Sequence, residues 1–290
     1  MSGGLRAGFV GLGNMGRGMA ANLVAGGIDL AVFDLDRERA VTGARRAGSL
    51  AEIAAAGDVL LSLPGPAEVR EVGLYLAGSM PAGTAVICVS TVSPGVVQEL
   101  EAAARPRGVS VVDAPVTGAA DGARAGTLAI MAGADAETLR RVRPLLEAIS
   151  STIVHTGPVG TGSAAKLLTN MLWFVHVVAL SDALALGAKA GISPETLGRL
   201  IPASAGGSWV ADHDLPNVLA GDDDVSFTLA LCCKDLRLIA ELAEELGVAA
   251  PLGALARERF EAAAERFGPG AGELAVVRLA EEAAGVSVRS

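Results

Sequence analysis

Short apolar runs recur along the first half of the chain, at Arg6–Gly11, Leu30–Asp34, Val59–Leu63, Ala85–Val89, Val109–Ala114, Leu128–Ala132 and Thr152–His155. They are apolar throughout rather than alternating, as strands buried on both faces are. Segments with helical spacing lie between them, at Met15–Ala25, Arg37–Ala47, Leu50–Ala56, Ala67–Tyr75, Gly95–Ala104 and Ala136–Ile149. Strand and helix in alternation predict an α/β domain whose parallel sheet is covered on both sides.

The pattern changes near Gly160-Thr161-Gly162. An apolar helix is predicted over 163–190, with Gly191 as its C′ residue. Ser193-Pro194 then reads as an N-cap with Pro at the first helical position. Further helices fit Pro194–Ile201, Leu229–Leu246 and Leu252–Phe267, and strand signals are scarce. The expected organisation is a dinucleotide-binding domain over 1–160 and an all-helical substrate and oligomerisation domain over 161–290. The long helix 163–190 opens the second domain and offers apolar sides to a partner subunit.

Composition narrows the function classes. The 290 residues are 51% hydrophobic, but the aromatic ones are only Phe 6, Trp 2 and Tyr 1. The core must therefore be aliphatic. The net charge is −9 and no basic block occurs, so nucleic-acid binding is not expected. Cys88, Cys232 and Cys233 have no C-x-x-C spacing, and the three histidines form no H-E-x-x-H pair. No disulfide framework and no metal site are expected, and a cytoplasmic location is. The longest apolar stretch carries Thr169, Asn170, His176, Ser181 and Asp182, which argues against a membrane span. The aspartates of Gly221-Asp222-Asp223-Asp224 read as a solvated loop, since EF-hand spacing is absent.

Gly11-Leu12-Gly13-Asn14-Met15-Gly16 fits G-x-G-x-x-G between a predicted strand and a predicted helix. Gly11 permits the tight turn, Gly13 lets the backbone approach a pyrophosphate, and Gly16 allows close helix–strand packing. Asp34 ends the second strand, where a carboxylate accepts from the adenosine ribose and repels a 2′-phosphate. It favours NAD. Arg37 nearby keeps NADP open, although a helix-surface charge is its simpler reading.

Three more segments, in order, complete a family pattern. The opening turn continues as Arg17-Gly18-Met19-Ala20-Ala21-Asn22-Leu23. Asp113-Ala114-Pro115-Val116-Thr117-Gly118-Ala119 follows, then Gly160-Thr161-Gly162-Ser163-Ala164-Ala165-Lys166 with Asn170, and Phe227 with Lys234-Asp235-Leu236. Together they resemble the 3-hydroxyisobutyrate dehydrogenase family of β-hydroxyacid dehydrogenases. The resemblance implies a Rossmann-type doubly wound parallel sheet followed by a helical domain, and dimers or tetramers. It makes the Thr117, Gly118, Ala119 loop the site of the substrate carboxylate. It also puts Leu63-Pro64 and Thr91 against the cofactor and Lys234 beside nicotinamide and substrate. The chain departs from the family at Thr117 (usually Ser), Ala119 (usually Gly), Cys88 (usually Asp) and Thr169 (usually Asn).

Lys166, Lys189 and Lys234 are the only lysines of the chain. A lysine buried in an apolar helix has a depressed pKa and can exchange a proton near neutrality, which arginine cannot. Asn170 at i+4 shares its face. Lys189 matches no motif and reads as a solvated helix end. Trp173 and Trp209 are candidates to line a pocket, with large core residues the alternative. The expected reaction is NAD-dependent oxidation of a small 3-hydroxy acid, with Lys166 as general acid/base. The rival readings are an NADPH-dependent reductase of a short aldehyde acid or a cyclic imine, and a cofactor-binding module without turnover.

Overall fold

The computed structural model describes residues 5–289. The chain forms two compact units, the first ending at Lys166 and the second starting at Leu167. The division falls inside a single helix.

The first unit holds strands β1 (Arg6–Val10), β2 (Asp29–Phe33), β3 (Arg45–Arg46), β4 (Asp58–Leu61), β5 (Ala85–Cys88), β6 (Ser110–Asp113), β7 (Val116–Thr117), β8 (Leu128–Gly133) and β9 (Ser150–Gly157). Its helices are α1 (Gly16–Ala25), α2 (Leu50–Ala54), α3 (Pro66–Ser79), α4 (Pro94–Ala104), α5 (Ala119–Ala125) and α6 (Ala136–Glu147), and α7 (Thr161–Lys189) begins there. The sheet order is β3-β2-β1-β4-β5-β6-β8-β7, with β9 also on β8.

Successive residues of a strand feed opposite cores. Ala7, Phe9, Ala85 and Ile87 pack into one apolar cluster, while Val10, Val86 and Cys88 pack into the other. That two-sided burial is why these strands are apolar at every position.

The expected parallel sheet is found over β3 to β6, and beyond it β8 runs antiparallel to both β6 and β7. Only the short stretch around α5 joins β7 to β8, too little for a parallel crossover, so the chain turns back. The helix expected over Arg37–Ala47 is absent. Turns and β3 occupy that stretch, with Gly43 at φ +83. Arg46 there donates to the carbonyls of Arg39, Asp34 and Asp36, a tertiary set of bonds that replaces helical ones.

The second unit holds the remainder of α7 with α8 (Pro194–Leu200), α9 (Trp209–Ala220), α10 (Leu229–Glu245), α11 (Pro251–Phe267) and α12 (Val277–Ala284). Phe174 meets Phe260 edge to face at 5.1 Å and stacks with Trp173. A Cβ on Gly253 of α11 would lie 3.2 Å from the Met171 sulfur, closer than ordinary contact, so the bare backbone lets the methionine fit. By length and composition α7 could cross a bilayer, yet it buries Lys166, Asn170 and Ser181 as a core helix does. It ends as expected, with Gly191 at φ +83 and the Ile192 N–H bonded back to Gly187. Ser193 then caps α8.

Candidate active site

The glycine turn joins β1 to α1. A side chain on Gly11, at φ +95, would begin 2.1 Å from the Ser62 carbonyl oxygen, and one on Gly16 would begin 1.9 Å from that of Gly11. Both positions must stay bare for the turn to close. Gly13 differs: a Cβ there would meet only the Arg39 guanidinium, at 3.9 Å. Its bareness answers no neighbour inside the protein, and leaves open the approach that a pyrophosphate needs. No side chain caps α1, whose N-cap position is Met15. The Arg17 N–H is bonded to the Gly13 carbonyl at 3.1 Å, and no carboxylate or hydroxyl among the described residues caps the positive end of the helix, where an anion is favoured. The turn therefore fits a dinucleotide.

Asp34 follows β2. Its Oδ2 accepts from the Leu12 N–H at 2.6 Å and its Oδ1 from the Asp36 N–H at 2.8 Å, which locks the carboxylate beside the turn. Arg39, not Arg37, is the guanidinium that reaches it, at 3.6 Å. Leu63 and Pro64 follow β4. The Ser90 hydroxyl accepts from the Leu63 N–H at 2.7 Å and donates toward the Leu61 carbonyl at 3.3 Å, which pins that dipeptide. Thr91 comes next along the chain and is half-buried. Asn14 is exposed at the mouth of the turn.

Thr117, Gly118 and Ala119 are exposed at the end of β7. Gly118 lies at φ +125 and Ala119 at φ +52. The alanine that departs from the family pattern thus occupies a left-handed conformation that glycine adopts more readily. From α1, Asn22 donates to the carbonyls of Ala123 and Arg124, and Gly18 packs against the Ala123 backbone. Those contacts bind the cofactor-side helix to the helix that follows the loop. Asn22 and Gly18 stood in the quoted motif without an assigned role.

Lys166 is 8% exposed, one turn inside α7. The Gly160-Thr161-Gly162 turn ahead of it is packed tightly. A Cβ on Gly162 would lie 2.4 Å from the Met131 carbonyl oxygen and 2.6 Å from that of Asp113, and one on Gly160 would lie 2.6 Å from the Gln98 amide nitrogen. Asp113, fully buried, accepts from Gly160, from Ser163 N–H and from the Ser163 hydroxyl. Burial pushes the Asp113 carboxyl up from its ordinary range, and these donors pull it back toward the charged form. Its register partner Cys88 is a neutral thiol, pushed up to about 12 by burial and by the nearby Asp113 charge.

The other two expected residues lie past the division, in the second unit. Asp235, 1% exposed, joins them: its Oδ2 accepts from the Asn170 amide at 2.7 Å, and its Oδ1 is 2.7 Å from the Lys234 ammonium. Asp235 was overlooked as a site residue, although Lys-Asp-Leu held the signal. Trp173 donates to Asp214 at 2.9 Å and packs on Phe227 in the core of that unit. Trp209 is exposed and stacks on His213. Among the described residues no group of three or more His, Cys, Asp or Glu side chains is arranged to hold a metal ion.

Residues 6–157 match the NAD-binding domain model of 6-phosphogluconate dehydrogenase, and residues 160–280 match the model for NAD-binding of NADP-dependent 3-hydroxyisobutyrate dehydrogenase. The chain is 35% identical to 2-(hydroxymethyl)glutarate dehydrogenase of Eubacterium barkeri, over 98% of this chain and 97% of that one. It is 38% identical to NAD-dependent L-serine dehydrogenase of Pseudomonas aeruginosa, over 86% and 88%. The solved structure of Mycobacterium tuberculosis 3-hydroxyisobutyrate dehydrogenase with L-serine superposes with a TM-score of 0.85 at 33% identity, covering 95% of this chain and 99% of that one.

Proposed function

The chain belongs to the 3-hydroxyisobutyrate dehydrogenase family of β-hydroxyacid dehydrogenases, and from that premise we propose that it oxidises a small 3-hydroxy acid to the semialdehyde or 3-oxo acid, with Lys166 as the general base. It is an oxidoreductase, and its cofactor is NAD. NAD, when bound, takes the hydride from the carbinol carbon. The turn from Gly11 to Gly16 would hold its pyrophosphate, Asp34 its adenosine ribose, and Leu63, Pro64 and Thr91 would contribute further contacts to it.

The Thr117 hydroxyl and the N–H groups of Gly118 and Ala119 take the substrate carboxylate. Lys166 takes the hydroxyl proton as the C–H bond of the same carbinol carbon breaks, and in reverse it returns that proton. An arginine there would stay charged at every working pH and could not exchange the proton. Asn170 and Lys234 add polar contacts to the substrate, and Lys234 also to the nicotinamide side of the cofactor.

The observation that carries this reading is the burial of Lys166 one turn after a packed glycine motif, in a chain with three lysines. NAD reduction across 3-hydroxyisobutyrate, 3-hydroxypropionate, serine, threonate, glycerate and phenylserine identifies the substrate. On the best of these, Lys166→Ala lowers kcat by about 10²- to 10⁴-fold with NAD affinity intact. Near-normal turnover in that variant overturns the assignment.

The assembly is a homodimer or homotetramer in this proposal. Leu168, Leu172 and Leu186 of α7 are exposed, the last to 72%, and supply the apolar surface. The three thiols are free, which supports a reducing, cytoplasmic setting.

A further inference from the structure

The buried carboxylate of Asp113 joins two motifs that lie far apart in the sequence. Asp113 ends β6, and the chain reaches the Thr117–Ala119 loop four residues later. Its carboxylate turns instead to the start of α7. Oδ2 accepts from the Gly160 N–H at 3.1 Å and from the Ser163 N–H at 2.7 Å, while Oδ1 accepts from the Ser163 hydroxyl at 2.6 Å. These are donors of the first turn of α7, which the helix cannot satisfy itself. A carboxylate at a helix N-terminus also meets the positive end of the helix dipole. Lys166 stands three residues after Ser163, on the next turn.

The backbone is equally constrained. Gly162 packs on the Asp113 and Met131 carbonyls, and Gly133, the register partner of Asp113, packs on Pro158 and Gly162. The first turn of α7 therefore has neither room to rotate nor room to slide.

We propose that Asp113 is a positioning residue for catalysis: through Ser163 it fixes the first turn of α7, and so the place of the Lys166 amine relative to the Thr117–Ala119 loop. The inference rests on Lys166 as the proton carrier. Asp113 touches neither substrate nor cofactor in this account. A buried carboxylate whose oxygens already accept three hydrogen bonds has little capacity left for proton transfer, and its work is geometric. Proton transfer demands accurate placement, so a shift of an ångström at Lys166 slows chemistry without weakening the binding of NAD.

A double-mutant cycle tests this. Ser163→Ala and Asp113→Asn are each made in the wild-type chain and in Lys166→Ala, and kcat, KM for both substrates, NAD affinity and melting temperature are measured. In the wild-type chain each is expected to lower kcat by about tenfold to a hundredfold, with KM for NAD and NAD affinity unchanged. In Lys166→Ala neither is expected to lower kcat further, because the group they place is already gone. Ser163→Ala removes one hydroxyl and keeps the backbone bonds, so it carries the cycle if Asp113→Asn fails to fold. Additive losses, or unchanged kcat in Ser163→Ala, overturn the positioning role while leaving Lys166 as the base. Normal turnover in Lys166→Ala alone overturns both.

Discussion

Two glycine turns in this chain look alike in sequence and are built for opposite ends. Gly11-Leu12-Gly13 leads into α1 and Gly160-Thr161-Gly162 leads into α7. Both use a positive-φ glycine to turn a strand end into a helix. At α1 the middle glycine faces open space and no side chain caps the helix. At α7 both glycines are packed against protein atoms, and the first-turn donors are taken by Asp113. One helix start is left without a capping acid or hydroxyl, as the proposed pyrophosphate site requires. The other is closed by an internal carboxyl group that accepts its first-turn hydrogens, and the residue carried on it is the lysine proposed to move a proton. A mobile charge site needs access; a proton-transfer group needs a fixed origin.

The sharpest way to break this contrast is to place the same methyl group in each turn. In Gly162→Ala the methyl meets two carbonyl oxygens at 2.4 and 2.6 Å, neither of them on a flexible side chain. Overpacking against backbone is expected to cost about 3 kcal/mol or more, read as a fall in urea midpoint with loss of turnover. In Gly13→Ala the fold should survive, with a melting temperature near wild type, and NAD affinity should fall about tenfold because the methyl occupies the pyrophosphate approach. Equal destabilisation of the two variants would erase the distinction.

The helical unit sharpens the contrast in another way, through a buried carboxylate that lacks donors. Glu273 is 5% exposed and its Oε2 finds no hydrogen-bond partner among the described residues. Burial first, then the charges of Asp214 and Asp224, push it up from 4.5 to about 9. Asp214 is raised too, mainly by burial, though Trp173 donates to it. Burial raises both carboxyls, but Asp113 has three donors that pull it back toward the charged form, and Glu273 has no partner for its Oε2 among the described residues. The sign follows. The unfolded chain releases the Glu273 proton near 4.5 and the folded one only near 9. Raising pH between those values therefore costs stability, at about 1.4 kcal/mol per unit. Glu273→Gln removes that slope. Between pH 6 and pH 8 the variant should gain about 3 kcal/mol relative to wild type in denaturant titrations, and a constant difference across that range would show that Glu273 is already ionised.

Much of this was visible in the sequence, for a physical reason. The seven runs read from the sequence all correspond to strands; two-sided burial explains the central ones, which are apolar at nearly every position, whereas β9 is largely exposed. The glycine turns were legible because each lies between a strand and a helix. The internal acceptor was not. Asp113 belonged to a quoted motif, but its partner Ser163 lies 50 residues on, and a single sequence cannot show that two motifs share a carboxylate. Asp235 was hidden in the same way between Asn170 and Lys234. The helix expected over Arg37–Ala47 failed because periodicity took no account of Gly43 or of the carbonyls that Arg46 gathers. The α9 helix was overlooked although Ser208, its N-cap, accepts from the Ala211 N–H as such a residue should.

The smallest expected effect concerns a third turn, where the chain keeps a side chain at a position suited to glycine. Ala119 sits at φ +52 directly after Gly118 at φ +125. A left-handed alanine costs roughly 1–2 kcal/mol relative to its relaxed conformation, and glycine would remove that strain while adding flexibility to the unfolded chain. The entropy term, about 0.5–1 kcal/mol, offsets part of that gain, so Ala119→Gly should raise stability by up to about 1 kcal/mol. Its kinetic signature separates this loop from the other two turns. If Thr117–Ala119 holds the substrate carboxylate, a freer loop raises KM for the hydroxy acid a few-fold while KM for NAD and the pH profile of kcat stay in place, because neither the Gly13 approach nor the Asp113-bound start of α7 has changed. A shift in KM for NAD instead would assign the loop to the cofactor and leave the substrate carboxylate to be held elsewhere.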